Sequence, residues 1–342
     1  MVKILKYLLY FVMTFWCAST MSLELHEKSD VIKSLQAVIA DNYVLTENIP
    51  QIDKSLLSLN QTLAVSKRTS SEAFASLLTD ELKVFDKHFT VQFTQNQPQK
   101  AQPEAKESWF EKLNRSNSGF NKVEILKGNV GYLDFWGFDS LSDKSKKTVE
   151  SAMQFLSHSD ALIIDLIENG GGSAEIVQFI SSYFLPEKTH LNSFYARKTG
   201  HTSDFWTFDE VDRIFPENVP VYILISANTF SAAEEFAYNF KHLGRATIIG
   251  QPSKGGANPW QWFNIGHGYR AGIPVAMAIN PVTKSNWEGV GVIPHIAIGS
   301  EKALPTAYAM ALNELFKVEK NKFKLDEISK KLGELSSSAI IE

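Results

Sequence analysis

The chain has 342 residues, 44% of them hydrophobic and 21% charged, enough for one large domain or a main domain with a smaller companion. A net charge of −4, with basic residues scattered instead of gathered into a patch or stripe, excludes a nucleic-acid partner. The single cysteine, Cys17, lies in the N-terminal segment, so the remainder carries neither disulfides nor a thiol nucleophile.

"MVKILKYLLYFVMTFWCASTMS" has Lys3 and Lys6, an apolar run from Tyr7, then small residues from Ala18 to Ser22. That layout predicts a signal peptide over 1–22 and an exported chain, periplasmic or secreted. The run is short of the ~20 residues a membrane span needs, so no integral span is expected after its removal. Residues 23–93 read as a helical N-terminal domain. "DVIKSLQAVIADNYV" puts Val31, Ile32, Leu35, Val38 and Ile39 on one face, and "TSSEAFASLLTDELKVFDKHF" opens on a capping-box-like Ser70/Ser71. Residues 94–121 read as a linker or loop region, because "TQNQPQKAQPEAKE" is polar and contains proline. From 122 to 342 β-rich runs alternate with helices, predicting βαβ units on a largely parallel sheet. Functional groups then belong at the carboxyl ends of strands.

Two such ends stand out. "VPVYILISANTFSAAEEFAY" places Ser231 in the first turn of a helix whose buried stripe is Phe236, Phe240 and Leu243. The unpaired amides and positive dipole end there favour a developing negative charge, with the Ala232 N–H as a ready oxyanion donor. The same letters also describe a well-capped helix. "DLIENGGG" ends in Gly170, Gly171 and Gly172, which suit the second half of an oxyanion hole, a phosphate cradle lacking the usual P-loop ending, or a plain turn. A serine nucleophile needs a base. None of the eight histidines is at metal-ligand spacing, so no metal or other cofactor is expected. His88, where "FDKHF" passes from helix to strand, and Lys254, in "QPSKGGANP", are the candidate bases. A loop lysine is ordinarily solvated, however, and a base must be neutral. Glu288, in "NWEGVGVIPH", is either an orienting carboxylate or a loop charge.

Taken in order and spacing, "SDALIIDLIENGGG", "ISANTFSAAEEFAY…LGRATIIGQ" and "NWEGVGVIPH" resemble the tail-specific (C-terminal processing) serine peptidases. The branch they resemble includes tricorn-type core domains and the interphotoreceptor retinoid-binding protein repeats. The resemblance runs over about 27–315 and implies an α/β, ClpP/crotonase-like βαβ core with a small helical N-terminal domain. The 95–118 stretch is too short for a PDZ insertion of ~80–100 residues. Carried over, Ser231 is the nucleophile, and the Ala232 N–H with Gly171 or Gly172 forms the oxyanion hole. The processing-protease base falls on Gly256, which leaves Lys254 and Glu234 as a weaker alternative base network. In the tricorn-like arrangement His88 is the base and Glu288 orients or polarises it. The implied function is a metal-independent serine peptidase acting on peptides or unfolded proteins. A catalytically vestigial carrier of hydrophobic ligands is the alternative. Departures from the family pattern are Ile167 for arginine, Lys87 for a second serine, Asn258 in "GGAN" for histidine, and Pro294-His295 for "P-D".

Overall fold

The computed structural model describes residues 26–65, 70–94 and 107–338. The expected signal peptide and most of the expected linker lie outside the described residues. In chain order the elements are α1 (26–42), α2 (Ile49–Val65), α3 (Ser71–Leu82), β1 (Thr90–Phe93), α4 (Trp109–Arg115), β2 (Phe120–Leu126), β3 (Val130–Phe135), α5 (Asp143–Leu156), β4 (Ala161–Asp165), α6 (Ala174–Ser182), β5 (His190–Ala196), β6 (His201–Trp206), β7 (Val221–Ile225), α7 (Ala232–His242), β8 (Thr247–Gly250), β9 (Trp260–Gly266), β10 (Tyr269–Pro274), β11 (Ala276–Ile279), β12 (Ile296–Ala297), α8 (Ser300–Val318) and α9 (Lys322–Ser338). They divide into two compact units.

Of the described residues, the first unit comprises 26–65, 70–94, Ala196–His201 and Asn258–Met277. Helices α1 to α3 bury Val31, Ile32, Leu35, Phe74 and Leu78 against the antiparallel sheet β1-β10-β9. Ser70 caps α3 by accepting from the Ala73 N–H at 3.2 Å. The hairpin β9–β10, expected within the α/β region, belongs here instead. β1 has an apolar face, and β10 satisfies its backbone in register Val91↔Ala271.

The second unit holds a six-stranded sheet in the order β12-β8-β7-β4-β3-β2, parallel except where β2 meets β3. Side chains alternate along each strand, so Val221, Ile223 and Ile225 enter one core while Tyr222 and Leu224 enter the other. From β3 to β4, β7 and β8 the chain moves always in one direction. Crossovers of one hand then place α5, α6 and α7 on one face, leaving the opposite face to α8 and α9, which bury Ala307, Ala311, Leu312 and Ile328 there. An α/β core with a small helical N-terminal region is the architecture expected. The stretch expected as linker or loop departs from expectation at its end, where Ser108 and Glu111 form a reciprocal capping box on α4. No helix among the described residues is long and apolar enough to cross a membrane.

Candidate active site

β4 and β7 are parallel neighbours, paired Asp165↔Leu224, so the turns that follow them lie side by side. Hydrogen bonds lace the two together. Thr229 Oγ1 donates to the Leu166 carbonyl at 2.7 Å, Ser226 Oγ to the Ile167 carbonyl at 2.7 Å, and the Phe230 N–H to the Asn169 carbonyl at 3.0 Å. Asn169 is fully buried and anchors the arrangement further. Its Nδ2 donates to the Phe135 carbonyl at 2.7 Å, while its Oδ1 accepts the Gly171 N–H at 2.9 Å. Sequence reasoning assigned Asn169 no role, although it stands inside the quoted "IENGGG". A polar side chain at a buried strand end was the available signal.

Ser231 sits at φ 57°, ψ −119°, outside the extended region of an ordinary N-cap and costly for any residue with a Cβ. The glycine turn is pressed against it. A Cβ on Gly171 (φ +87°) would fall 2.8 Å from Ser231 Cβ and 2.9 Å from Ala232 N. A Cβ on Gly172 would fall 1.8 Å from the Phe138 carbonyl oxygen. Glycine is therefore required at both positions by space as well as by φ. Of the expected oxyanion donors, the Gly171 amide donates to Asn169 Oδ1, and this glycine makes the close approach to Ser231. The amides of Gly172 and Ala232 find no acceptor among the described residues.

Glu234, one turn into α7, is fully buried and gathers four donors. Its Oε2 accepts the Ser231 N–H at 2.8 Å and the Gly256 N–H at 2.9 Å, and its Oε1 accepts Ser253 Oγ and the Gly255 N–H, both at 2.6 Å. It thus ties the serine turn to the 253–257 loop as a brace. That loop is in turn zipped to the segment bearing Glu288. Glu288 Oε2 accepts the Ala257 N–H at 2.6 Å, and Trp287 Nε1 donates to the Gly256 carbonyl at 2.9 Å. Lys254 is exposed, with its ammonium 4.8 Å from the Phe230 ring centroid.

Burial pushes the Glu234 carboxyl up to about 7 against its four donors, and burial pushes neighbouring Glu235 up to about 8. The unfolded Glu234 carboxyl ionises near 4.5, so between 4.5 and about 7 the folded state holds a proton that the unfolded chain has released. This stabilisation is full below 4.5 and lost as the pH rises through about 7, some ~3 kcal/mol in all. Glu234→Gln is expected to remove that fall, leaving the parallel decline due to Glu235. Urea midpoints from pH 4 to 8 measure it, and equal slopes in the two proteins would contradict it.

His88 belongs to the first unit, in the turn between α3 and β1, and is buried. Its N–H donates to Asp86 Oδ1 at 2.9 Å, and the same oxygen stands 3.9 Å from His88 Nδ1. Asp86 Oδ2 accepts Nδ2 of Asn258, the residue that departs from the family pattern, at 2.8 Å. Asp86 went unnoticed in sequence because "FDKHF" reads as an ordinary helix-end charge. The second unit brings Ser231, Ala232, Gly171, Gly172, Glu234 and, through the 253–257 loop, Glu288 into one bonded framework; His88 has its own framework in the first.

Fold and site together define an α/β protein that wedges a strained serine between a glycine turn and a helix N-terminus, the form in which such folds present a nucleophile. Residues 129–298 match the model of peptidase family S41, and residues 20–123 match the N-terminal domain of that family as found in eukaryotic IRBP. The chain belongs to peptidase family S41. It is 26% identical over 194 residues to a carboxy-terminal-processing protease of Bartonella bacilliformis, covering 55% of this chain and 43% of that protein. The chain thus spans less than half the length of that relative. Among solved structures it is similar in fold to a candidate peptidase from Parabacteroides merdae, with TM-score 0.60, 16% identity, 84% of this chain and 97% of that one. It is also similar to mature CPAF complexed with lactacystin, with TM-score 0.56, 14% identity, 90% of this chain and 100% of that one.

Proposed function

We propose that the chain is a serine-type, metal-independent endopeptidase of the cell exterior or periplasm, acting on extended or unfolded peptides. The observation that carries this reading is Ser231 at φ 57°, held against Gly171 beside two uncommitted amides. Strain of this kind persists only where the surroundings over-determine it, and here they do so through Asn169 and Glu234. Ser231 Oγ attacks the scissile carbonyl and passes its proton to His88. The Ala232 and Gly172 N–H groups hold the resulting oxyanion. His88 returns the proton to the leaving amine, and water then releases the acyl group by the same steps reversed. Glu288 polarises the base network. The peptide adds as an extended segment, so its backbone is read more than its side chains.

A fluorophosphonate probe tests the reading. Ser231 should be labelled in the intact chain, with hydrolysis of an unfolded protein insensitive to a chelator. Labelling that persists in Ser231→Ala would move the nucleophile elsewhere, and chelator-sensitive hydrolysis would end the metal-independent scheme. A second reading, a vestigial carrier of hydrophobic ligands, draws on the match to the IRBP-type N-terminal domain. It predicts ligand binding with no labelling at all.

A further inference from the structure

We propose that Asp86, braced by Asn258, is the positioning residue of His88. This rests on the reading of His88 as the general base. The first unit supplies the geometry. Asp86 is only 1% exposed, and each of its carboxylate oxygens is committed in a way that fixes the group. Oδ1 takes the backbone N–H of His88 at 2.9 Å, so the carboxylate is tied to the histidine's own backbone and moves with it. The same oxygen stands 3.9 Å from Nδ1, close enough for the carboxylate charge to act on the ring. Oδ2 takes the Asn258 amide at 2.8 Å.

Three consequences follow from that placement. A buried negative charge beside Nδ1 favours the imidazolium that forms when His88 accepts the serine proton. An acceptor facing Nδ1 selects the tautomer with its hydrogen there, which leaves Nε2 as the basic nitrogen. Asn258, itself fully buried, supplies a donor that cannot ionise, so it holds the Asp86 carboxylate by hydrogen bonding without adding a charge of its own. Within the first unit Lys87, between the two residues in sequence, has its ammonium engaged by the Lys83 carbonyl at 3.2 Å.

The bland alternative is that Asp86 merely caps the turn after α3. A cap would leave the titration of the ring untouched, and that separates the two. In the full chain, NMR titration of the His88 ring is expected to show its midpoint falling by about one pH unit in Asp86→Asn, a roughly tenfold loss of proton affinity. The kcat for peptide hydrolysis should fall by about 10²- to 10⁴-fold with KM little changed, and the acid limb of kcat/KM should move to lower pH. Asn258→Ala should shift the midpoint the same way by less. It also decides the matter if Asp86→Asn does not fold. An unmoved midpoint in a folded variant, or an undiminished kcat, overturns the proposal. A midpoint that falls as expected in a protein that hydrolyses no peptide would leave the pairing standing and reject the peptidase reading instead.

Discussion

Replacing Ser231 by alanine is expected to abolish peptide hydrolysis, a loss of about 10³-fold or more in kcat, while the chain still unfolds cooperatively. The companion substitution is sharper. Ser231 holds φ 57° and ψ −119° with a Cβ in place, and glycine reaches that region without the penalty. Ser231→Gly should therefore be equally inactive and yet more stable than the natural protein by about 1 kcal/mol, since the strain it relieves is of order 1–3 kcal/mol and part is returned to unfolded-state entropy. Denaturation midpoints of the two variants measured side by side provide the check. A glycine variant clearly less stable than the alanine variant would mean that the turn is unstrained and that Ser231 is an ordinary helix cap.

The second large effect is expected at Gly171. Alanine there would set a methyl group 2.6 Å from the Phe230 carbonyl oxygen and 2.8 Å from Ser231 Cβ, at a φ that alanine seldom adopts. The glycine turn must retreat from the serine, so Gly171→Ala should cost about 2–3 kcal/mol of stability. Hydrolysis should fall by about 10²- to 10³-fold as the oxyanion donors lose register. Gly170→Ala is the control. Its methyl would meet only the indole of Trp109, an exposed side chain able to swing aside. Near-equal losses in the two variants would show that the glycine run serves general packing and not the approach to Ser231.

The fold was legible wherever local chemistry and burial agreed. "DALIID" and "VPVYILIS" are apolar on both faces and became the central parallel strands, buried between α5–α7 on one side and α8–α9 on the other. Ser231 and the glycine run were legible as motifs, because a serine at a helix start and consecutive glycines are unusual local choices. The hairpin at 260–274 was misplaced for the converse reason. Its alternating pattern states only that one face is buried, and pairing with β1, as in Val91↔Ala271, is a long-range choice that no local window contains.

By itself the sequence determined the strand–turn–helix that carries Ser231, the glycine turn, the absence of a thiol nucleophile and the helix-to-strand junction at His88. Each follows from residue type and short-range spacing, which the backbone obeys locally. Only the tertiary structure decided that Gly171 approaches Ser231 while the amides of Gly172 and Ala232 find no acceptor among the described residues, that Glu234 is a four-donor brace, and that Asp86 binds both the His88 backbone and Asn258. Those assignments depend on which buried polar atom meets which partner across turns distant in sequence. A buried donor or acceptor must be satisfied, but the chain alone does not say by whom.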